Sequence, residues 1–181
     1  MSIIGTGDLQ SKWTKEQNNN WSISDEVAEV LITELQTKKP KLSLELGTGT
    51  GKSTSIITQY SEKIFTIDQD ERRSDKARMY LYDVFGEKAK DITFITGYDV
   101  DKLKGKKFDF IFVDGPKGQN RRNTFIQMYP FIAKQGTMVI FDDAHRDDVR
   151  SMCVVLSNQY GATYYIKDSV AKLIQTCKLE Q

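Results

Sequence analysis

The segment Leu44-Glu-Leu-Gly-Thr-Gly-Thr-Gly-Lys-Ser-Thr54 joins a short apolar run to three glycines at alternate positions. Two kinds of nucleotide-binding loop could account for this pattern. A phosphate loop of the form G-x-x-x-x-G-K-[ST] would use Lys52 and Ser53, but its first glycine would fall on Leu46. The form E-x-G-x-G-x-G fits without a missing residue. In that form Glu45 ends a strand, and the glycines let the backbone turn tightly beneath a ligand into a helix.

The charge of Glu45 favours the second form. A carboxylate at the mouth of a phosphate cradle would repel a polyanion, at a cost of about 1 kcal/mol for charges ~4 Å apart in water. A sulfonium ligand with a free amino group is cationic and tolerates the carboxylate. The pattern resembles the first motif of class I S-adenosylmethionine-dependent methyltransferases. That resemblance leaves Lys52 as a solvated residue at a helix start. It implies a cofactor loop made of Glu45, Gly47, Thr48, Gly49, Gly51 and Ser53.

Composition places the chain among ordinary globular proteins. It has 181 residues, of which 39% are hydrophobic and 28% charged, and its formal net charge is +1. This length suits a single domain over residues 1–181. The balanced charge supplies no field that would draw a nucleic acid or a membrane surface, so we expect a small-molecule substrate. The oligomeric state stays open, with a homodimer as one option.

Cysteine content and the start of the chain favour a cytoplasmic protein. Cys153 and Cys177 are too few for a disulfide framework, and their spacing resembles no zinc site. Residues 1–9 lack the basic start and apolar run of a signal peptide, and no segment approaches ~18 consecutive apolar residues. Basic runs could suggest RNA, but such runs are typical of solvated surfaces. These runs are Lys102, Lys104, Lys106 and Lys107, Arg72-Arg73, and Arg121-Arg122.

Helix-period and strand-type segments alternate from residue 24 to about residue 158, which predicts a parallel sheet flanked by helices. The predicted strands are Leu42–Leu46, Ile64–Asp68, Ile92–Thr96, Phe108–Asp114 and Thr137–Asp142. A hairpin follows at the sheet edge, as the methyltransferase resemblance also implies. The predicted fold is therefore α/β and Rossmann-like: a doubly wound, mostly parallel seven-stranded sheet with a C-terminal antiparallel hairpin and helices on both faces. Residues 1–23 precede this core as a lid or arm, in which Trp13 and Trp21 either cover a ligand or pack beneath the first helix.

Ligands of open parallel sheets bind at the carboxyl ends of the strands, so the residues there are candidates for the site. Asp68 ends the second strand 23 positions after Glu45, where an acidic side chain can accept hydrogen bonds from ribose hydroxyls. The alternative is that it caps the helix of residues 70–85. Gln69 follows as a further cofactor candidate. The resemblance implies adenine contacts from Tyr98 and Asp99.

Three more carboxylates end the fourth and fifth strands. Asp114, Asp142 and Asp143 would converge at one edge of the sheet, which costs repulsion unless a cation or a proton lies among them. A hard divalent ion such as Mg²⁺ would relieve that repulsion, and Asp114 could contact the cofactor as well. The arrangement resembles the catechol-type, metal-dependent small-molecule O-methyltransferases. Their second adjacent ligand is often asparagine, whereas macrocin-type sugar O-methyltransferases carry the Asp-Asp pair.

The resemblance also implies a general base. A metal would lower the pKa of a substrate hydroxyl, and Lys117 would accept its proton. His145 competes for this role because its ordinary pKa of ~6.5 suits proton transfer near neutrality. The Asp114-Gly-Pro segment also resembles glucuronoxylan-type sugar methyltransferases, in which Arg146 or Arg150 would hold a substrate carboxylate.

The favoured function is S-adenosylmethionine-dependent O-methylation of a small hydroxylated molecule or sugar, with assistance from a divalent metal. Two alternatives stay open. One is a phosphate-loop nucleotidase, in which residues 108–114 would imitate a magnesium-binding strand. The other is a non-catalytic module that binds S-adenosylmethionine without transferring its methyl group.

Overall fold

The computed structural model describes residues 9–19, 22–97, 100–115 and 119–179. The helices are α1 Asp25–Lys38, α2 Lys52–Tyr60, α3 Glu71–Phe85, α4 Gln119–Ile132 and α5 Asp147–Tyr160. The strands are β1 Leu42–Leu46, β2 Lys63–Asp68, β3 Ile92–Thr96, β4 Phe110–Val113, β5 Met138–Phe141, β6 Ala162–Lys167 and β7 Val170–Gln175. Short 3₁₀ turns at Gly86–Asp91 and Val100–Leu103 follow α3 and β3. No helix in these ranges is long and apolar enough to cross a bilayer.

The strands form one seven-stranded sheet in the order β3-β2-β1-β4-β5-β7-β6. Strands β1 to β5 pair in parallel, whereas β7 runs antiparallel to β5 and β6 antiparallel to β7. The predicted fold class, including its C-terminal hairpin, is therefore confirmed. The strand order reverses between β1 and β4, and at such a switch point the loops leave the sheet in opposite directions and open a crevice.

Buried side chains cover both faces of the sheet. One cluster contains Leu44, Ile111 and Val139 together with the apolar stripes of α4 and α5, and the other contains Phe110 and Phe112 under α1 and α2. Successive strand residues point to opposite faces of the sheet, so each central strand contributes side chains to both clusters. Each fully buried large apolar side chain contributes about 1.5–3 kcal/mol to folding, and these clusters hold the strand ends in place.

The fourth and fifth strands are shorter than predicted. Strand β4 ends at Val113 and β5 at Phe141, so Asp114 and Asp142 lie just beyond the ladder. Their amides still donate to the neighbouring strand, Asp114 to the Leu46 carbonyl at 2.9 Å and Asp142 to the Val113 carbonyl at 3.1 Å. The carboxylates therefore begin loops at the carboxyl ends of the strands.

Candidate functional site

The glycine loop leaves β1 and crosses the end of β4. Gly47 has a φ of +107°, a value that side-chain-bearing residues rarely adopt. A Cβ on Gly47 would lie 3.0 Å from the Gly115 amide nitrogen and 3.2 Å from the Asp114 carbonyl carbon. The Gly47 amide donates to the Ile67 carbonyl at 2.8 Å. The loop is thus fixed between β2 and β4, and a glycine is required for this approach.

Asp68 ties the end of β2 to the same loop. Its Oδ2 accepts a hydrogen bond from the Gly49 amide at 2.8 Å, and its Oδ1 accepts one from the Asp70 amide at 2.9 Å. The cap of α3 is Asp70, whose side chain accepts from the Arg72 amide at 3.0 Å. The helix-cap alternative for Asp68 is therefore wrong. Gln69, the next residue, is exposed beside it.

Gly49 lies at the open side of the loop. Its φ is +52°, and a Cβ placed there would meet no atom of the described chain within 4 Å. A ligand can therefore approach the backbone at Gly49 closely. Gly51 differs, because a Cβ there would lie 3.2 Å from the Ala77 Cβ, so its lack of a side chain lets α2 and α3 pack.

Glu45 lies beneath the loop with its side chain fully buried. Its Oε2 accepts hydrogen bonds from the hydroxyls of Thr54 and Thr66, both at 2.6 Å. The Thr48 hydroxyl lies 2.6 Å from that of Thr66, so a chain of hydroxyls links the loop to the carboxylate. The pleat explains the contact, because Glu45 and Thr66 are register partners on one face of the sheet, under the first turn of α2.

The second oxygen of Glu45 lacks a well-formed hydrogen bond among the described residues, although the Ser53 hydroxyl lies near the carboxyl. Oε1 has no hydrogen-bond partner in the described part of the chain. Burial raises the pKa of Glu45 to about 7, although hydroxyls at Ser53, Thr54 and Thr66 act to lower it. A buried carboxyl with one free acceptor is costly to folding, and such groups concentrate where a protein binds ligands. A cationic ligand group would satisfy it.

Lys52 does not match its predicted surroundings. It is only 5% exposed, and its Nζ donates to the Ile23 carbonyl and to Asp25 Oδ1, both at 3.0 Å. The Nζ also lies 4.6 Å from the centre of the Trp13 ring. The prediction of a solvated residue is wrong because the residues before α1 fold over the first turn of α2. Because its Nζ makes these three contacts, Lys52 is not placed to bind a phosphate.

The N-terminal arm, residues 9–19, packs against the glycine loop and α2. Trp13 Nε1 donates to the Ser55 hydroxyl at 3.2 Å, and Gln17 Nε2 donates to the Thr50 carbonyl at 3.0 Å. A cavity of about 610 Å³ lies at the arm, with Trp13, Asp25 and Lys52 in its lining. Among the described residues, the carboxylates of Asp68, Asp114, Asp142 and Asp143 do not line it. Trp13 thus packs on α2, while Trp21 lies outside the described residues. A lid role for the arm stays a prediction.

The carboxylates after β4 and β5 form a second group beside the loop. Burial raises the pKa of Asp114 well above its usual range, and the nearby Asp142 raises it further. The pKa of Asp142 is raised as well, again chiefly by burial. Asp142 Oδ1 accepts a hydrogen bond from the Asp143 amide at 2.6 Å, and Asp143 has a φ of +61°. Burial and mutual repulsion therefore both favour the neutral form of Asp114 and Asp142 relative to exposed aspartates.

Arg121 is the functional candidate that the sequence reasoning missed. Its side chain is fully buried, so its prediction as part of a solvated basic run is wrong. The guanidinium donates to the Asp142 carbonyl at 3.2 Å, to the Asp114 carbonyl at 3.0 Å and to Asp143 Oδ2 at 3.0 Å. One detectable signal exists in the sequence: Arg121 lies one helical turn before Phe125, on the stripe that α4 buries.

The three carboxylates do not fit a divalent ion as they lie. Among the described residues, no three His, Cys, Asp or Glu side chains come together in an arrangement that could hold a metal. Asp143 is instead paired with Arg121. The metal assignment of Asp114, Asp142 and Asp143 stays a prediction that this geometry does not support.

The other candidates at this edge have different surroundings. His145 is exposed in the turn between β5 and α5, near enough to Asp142 for charge interaction. Arg146 Nε donates to Asp148 Oδ1 at 3.1 Å, and Arg150 Nε donates to the Ala144 carbonyl at 3.0 Å. Three further predicted residues lie outside the described part of the chain, namely Tyr98, Asp99 and Lys117.

A sequence comparison identifies the family. The sequence model of a family described as "Methyltransferase domain" matches residues 44–144, which is more than half of the chain. The chain belongs to this methyltransferase family. The match begins within β1 and ends at Ala144, so it contains the glycine loop, Asp68 and all three strand-end carboxylates. No curated protein sequence matches the methyltransferase chain.

Solved structures share the fold of this methyltransferase at low sequence identity. An O-methyltransferase from Bacillus cereus in complex with SAH is 17% identical, with a TM-score of 0.73, and the alignment covers 92% of this chain and 90% of that one. The O-methyltransferase TomG from Streptomyces achromogenes, in complex with SAM, is 16% identical, with a TM-score of 0.74 and coverage of 93% and 89%. SAH-bound PaMTH1 from Podospora anserina is 16% identical, with a TM-score of 0.74 and coverage of 93% and 88%.

Proposed function

We propose that this methyltransferase transfers a methyl group from S-adenosylmethionine to a hydroxyl oxygen of a small molecule or sugar. The observation that carries the proposal is Glu45, a buried carboxylate directly beneath a glycine loop at the switch point of the sheet. Its Oε1 has no hydrogen-bond partner in the part of the chain that the structure describes. A phosphate ligand would be repelled there, whereas an ammonium group would be bound. Solved structures with the same fold, from Bacillus cereus and Streptomyces achromogenes, hold SAH and SAM.

The residues present fit this donor. Glu45 and Ser53 would bind the charged methionine end, and Gly49 offers an uncovered backbone for close approach. Asp68, already fixed by two amides, would accept from the ribose hydroxyls, with Gln69 beside it. Tyr98 and Asp99 complete the proposed set at the adenine. When bound, S-adenosylmethionine supplies an electrophilic methyl group on sulfur.

The acceptor would lie beside Asp114, Asp142 and His145. An attacking hydroxyl must lose its proton, and a side chain within hydrogen-bond reach speeds this step by about 10²–10⁴-fold. Lys117 and His145 remain the two proposed bases. Asp114 would orient the acceptor by accepting a hydrogen bond from its hydroxyl. Divalent-metal assistance is left out of this proposal because the carboxylates do not fit an ion as they lie.

The ribose assignment predicts that Asp68→Asn lowers donor affinity. Asparagine keeps one acceptor oxygen for the loop amides but loses the charge that strengthens hydrogen bonds to ribose hydroxyls. We therefore expect the Kd for SAH to rise about tenfold. Isothermal titration calorimetry measures it. Asp70→Asn is the matched control, since asparagine is an equally good helix cap and should leave the Kd unchanged. Equal affinities of Asp68→Asn and wild type would refute the ribose role.

The phosphate-loop alternative is tested at Lys52. Lys52→Met should lower the free energy of unfolding by about 1–2 kcal/mol, because the Ile23 carbonyl loses its buried donor, and should change the Kd for SAH by less than about threefold. In a phosphate loop the same lysine binds the terminal phosphates. Tight binding of ATP by the wild type, abolished in Lys52→Met, would therefore replace the methyltransferase proposal with a nucleotidase.

Turnover separates catalysis from binding alone. We expect methyl transfer from isotopically labelled donor to at least one member of a panel of catechols, simple phenols and sugars, with the label recovered as a methyl ether. Binding of SAH without transfer to any acceptor in a broad panel would favour a non-catalytic module. The cytoplasm remains the proposed location.

A further inference from the structure

The buried guanidinium of Arg121 lies where the strand-end carboxylates need a positive charge. It is 0% exposed, and it reaches three acceptors on two adjacent strand ends within 3.2 Å. Two of these acceptors are the backbone carbonyls of Asp114 and Asp142, and the third is Asp143 Oδ2. The same guanidinium lowers the pKa of both Asp114 and Asp142 against the effect of burial.

We propose that Arg121 is the resident cation of this carboxylate cluster and takes the place of a divalent metal there. The inference rests on the proposed function for the position of the acceptor, but the occupancy of the cluster can be measured without donor or acceptor. Arg121 therefore acts as a positioning residue. It fixes the ends of β4 and β5 relative to each other, and with them the carboxylates of Asp114 and Asp142.

The geometry of Asp143 supports this assignment. A divalent ion held by all three carboxylates would need the Asp143 oxygens, and Oδ2 is bonded to Arg121 at 3.0 Å. Releasing Asp143 would leave a fully buried guanidinium without its carboxylate, and breaking a buried ion pair from one side is strongly unfavourable. The positive φ of Asp143 holds its backbone in the turn in which this contact forms.

The charge of Arg121 also opposes a second cation. Arginine keeps its positive charge in proteins, so this charge cannot be removed to make room for an ion. A divalent ion bound between Asp114 and Asp142 would lie beside the guanidinium that donates to the carbonyls of both residues. Repulsion between the two charges at short range would weaken binding.

The test is a metal titration of the whole chain without donor. Mn²⁺ binding is followed by electron paramagnetic resonance of the free ion, and the unfolding temperature is recorded with and without Mn²⁺ or Mg²⁺. For the wild type we expect no binding into the millimolar range and no shift in unfolding temperature. Methyl transfer is expected to be the same in excess chelator. Micromolar Mn²⁺ binding, or a rise in unfolding temperature with Mg²⁺, would overturn the proposal.

Variants at position 121 sharpen the test. Arg121→Met removes the charge and keeps much of the volume, so the three carboxylates should gain Mn²⁺ binding, and Mn²⁺ should raise the variant's unfolding temperature. Arg121→Lys keeps the charge and should not gain binding. Arg122→Met is the matched control, because Arg122 donates to the Ser151 hydroxyl instead, and it should behave as wild type.

The outcomes remain decisive if Arg121→Met does not fold. Mn²⁺ binding by the wild type or by Arg121→Lys would contradict the proposal, and its absence in both supports it. Failure of the proposed function is a separate result, seen as absence of SAH binding or of methyl transfer, and it leaves the Mn²⁺ titration unaffected.

Discussion

Gly47→Ala is expected to destabilise the protein strongly and to abolish donor binding. The new Cβ would lie 3.0 Å from the Gly115 amide nitrogen, so a backbone segment rather than a flexible side chain would have to move. The φ of +107° is also unfavourable for alanine. Together these effects should cost about 3 kcal/mol of unfolding free energy. The same displacement would move Asp114 away from the loop. Urea denaturation and SAH titration measure the two effects.

Gly49→Ala is the matched control for this prediction. Its φ of +52° lies in the left-handed region that alanine can enter at a cost of about 1 kcal/mol, and its Cβ would meet no described atom within 4 Å. The free energy of unfolding should therefore fall by only about 1 kcal/mol. Donor affinity should still fall by about tenfold or more, because the methyl group takes space that the donor needs. If Gly47→Ala were no less stable than Gly49→Ala, the close approach of the loop to the end of β4 would be refuted.

Glu45→Gln is expected to change how stability depends on pH. Burial raises the pKa of Glu45 from its ordinary 4.5 to about 7 in the folded protein. The folded state therefore holds the proton more tightly than the unfolded state. The stabilisation from this proton is fully present below about pH 4.5 and is lost as pH rises through about 7. The total change corresponds to about 3 kcal/mol.

Glutamine does not titrate, so the stability of Glu45→Gln should not decline as the pH rises through about 7. At about pH 5 the two proteins should be similarly stable, and at about pH 8 the variant should be more stable by up to about 3 kcal/mol. Urea denaturation at both pH values measures the difference, with the exposed Glu62→Gln as control. Parallel pH profiles for wild type and Glu45→Gln would show that the raised pKa is absent. Donor affinity should fall by about tenfold at the higher pH, because the ammonium group loses its carboxylate.

The two Glu45 effects have opposite signs, which is expected of a binding residue. If Glu45 had no role in binding, its replacement by glutamine would raise stability without weakening donor binding. A buried carboxylate that binds a cationic ligand lowers the free energy of unfolding of the free protein, and it strengthens binding of the ligand. The combination of higher stability and weaker donor binding in one variant is therefore specific to the proposed role.

The sequence predicted the sheet well because its signals are local. Strands β1 and β3 have the predicted bounds, and the helices lie between strands as the alternation predicts. Apolar runs ended by glycine or aspartate mark where a parallel strand stops, and the carboxyl ends of such strands must meet. The same logic brought Asp114 and Asp142 to one edge of the sheet.

The predictions of solvent exposure were wrong where a charged side chain contacts residues that are distant in the sequence. Lys52 is covered by Ile23 and Asp25, and Arg121 by groups more than twenty residues away as well as by Asp114. Lysine and arginine are rarely buried, so a sequence pattern places them in solvent unless their partners are known. For Arg121 the position on the buried stripe of α4 outweighs residue type, and the carbonyls at the strand ends make this burial possible.

Equilibrium binding of adenosine derivatives to the wild-type chain shows most directly whether the strand-end site holds a cationic methyl donor. Calorimetric titrations with S-adenosylmethionine, SAH and ATP with Mg²⁺ are compared on one protein preparation. We expect micromolar binding of S-adenosylmethionine and SAH and no binding of ATP. Micromolar binding of ATP with no binding of S-adenosylmethionine or SAH would contradict it.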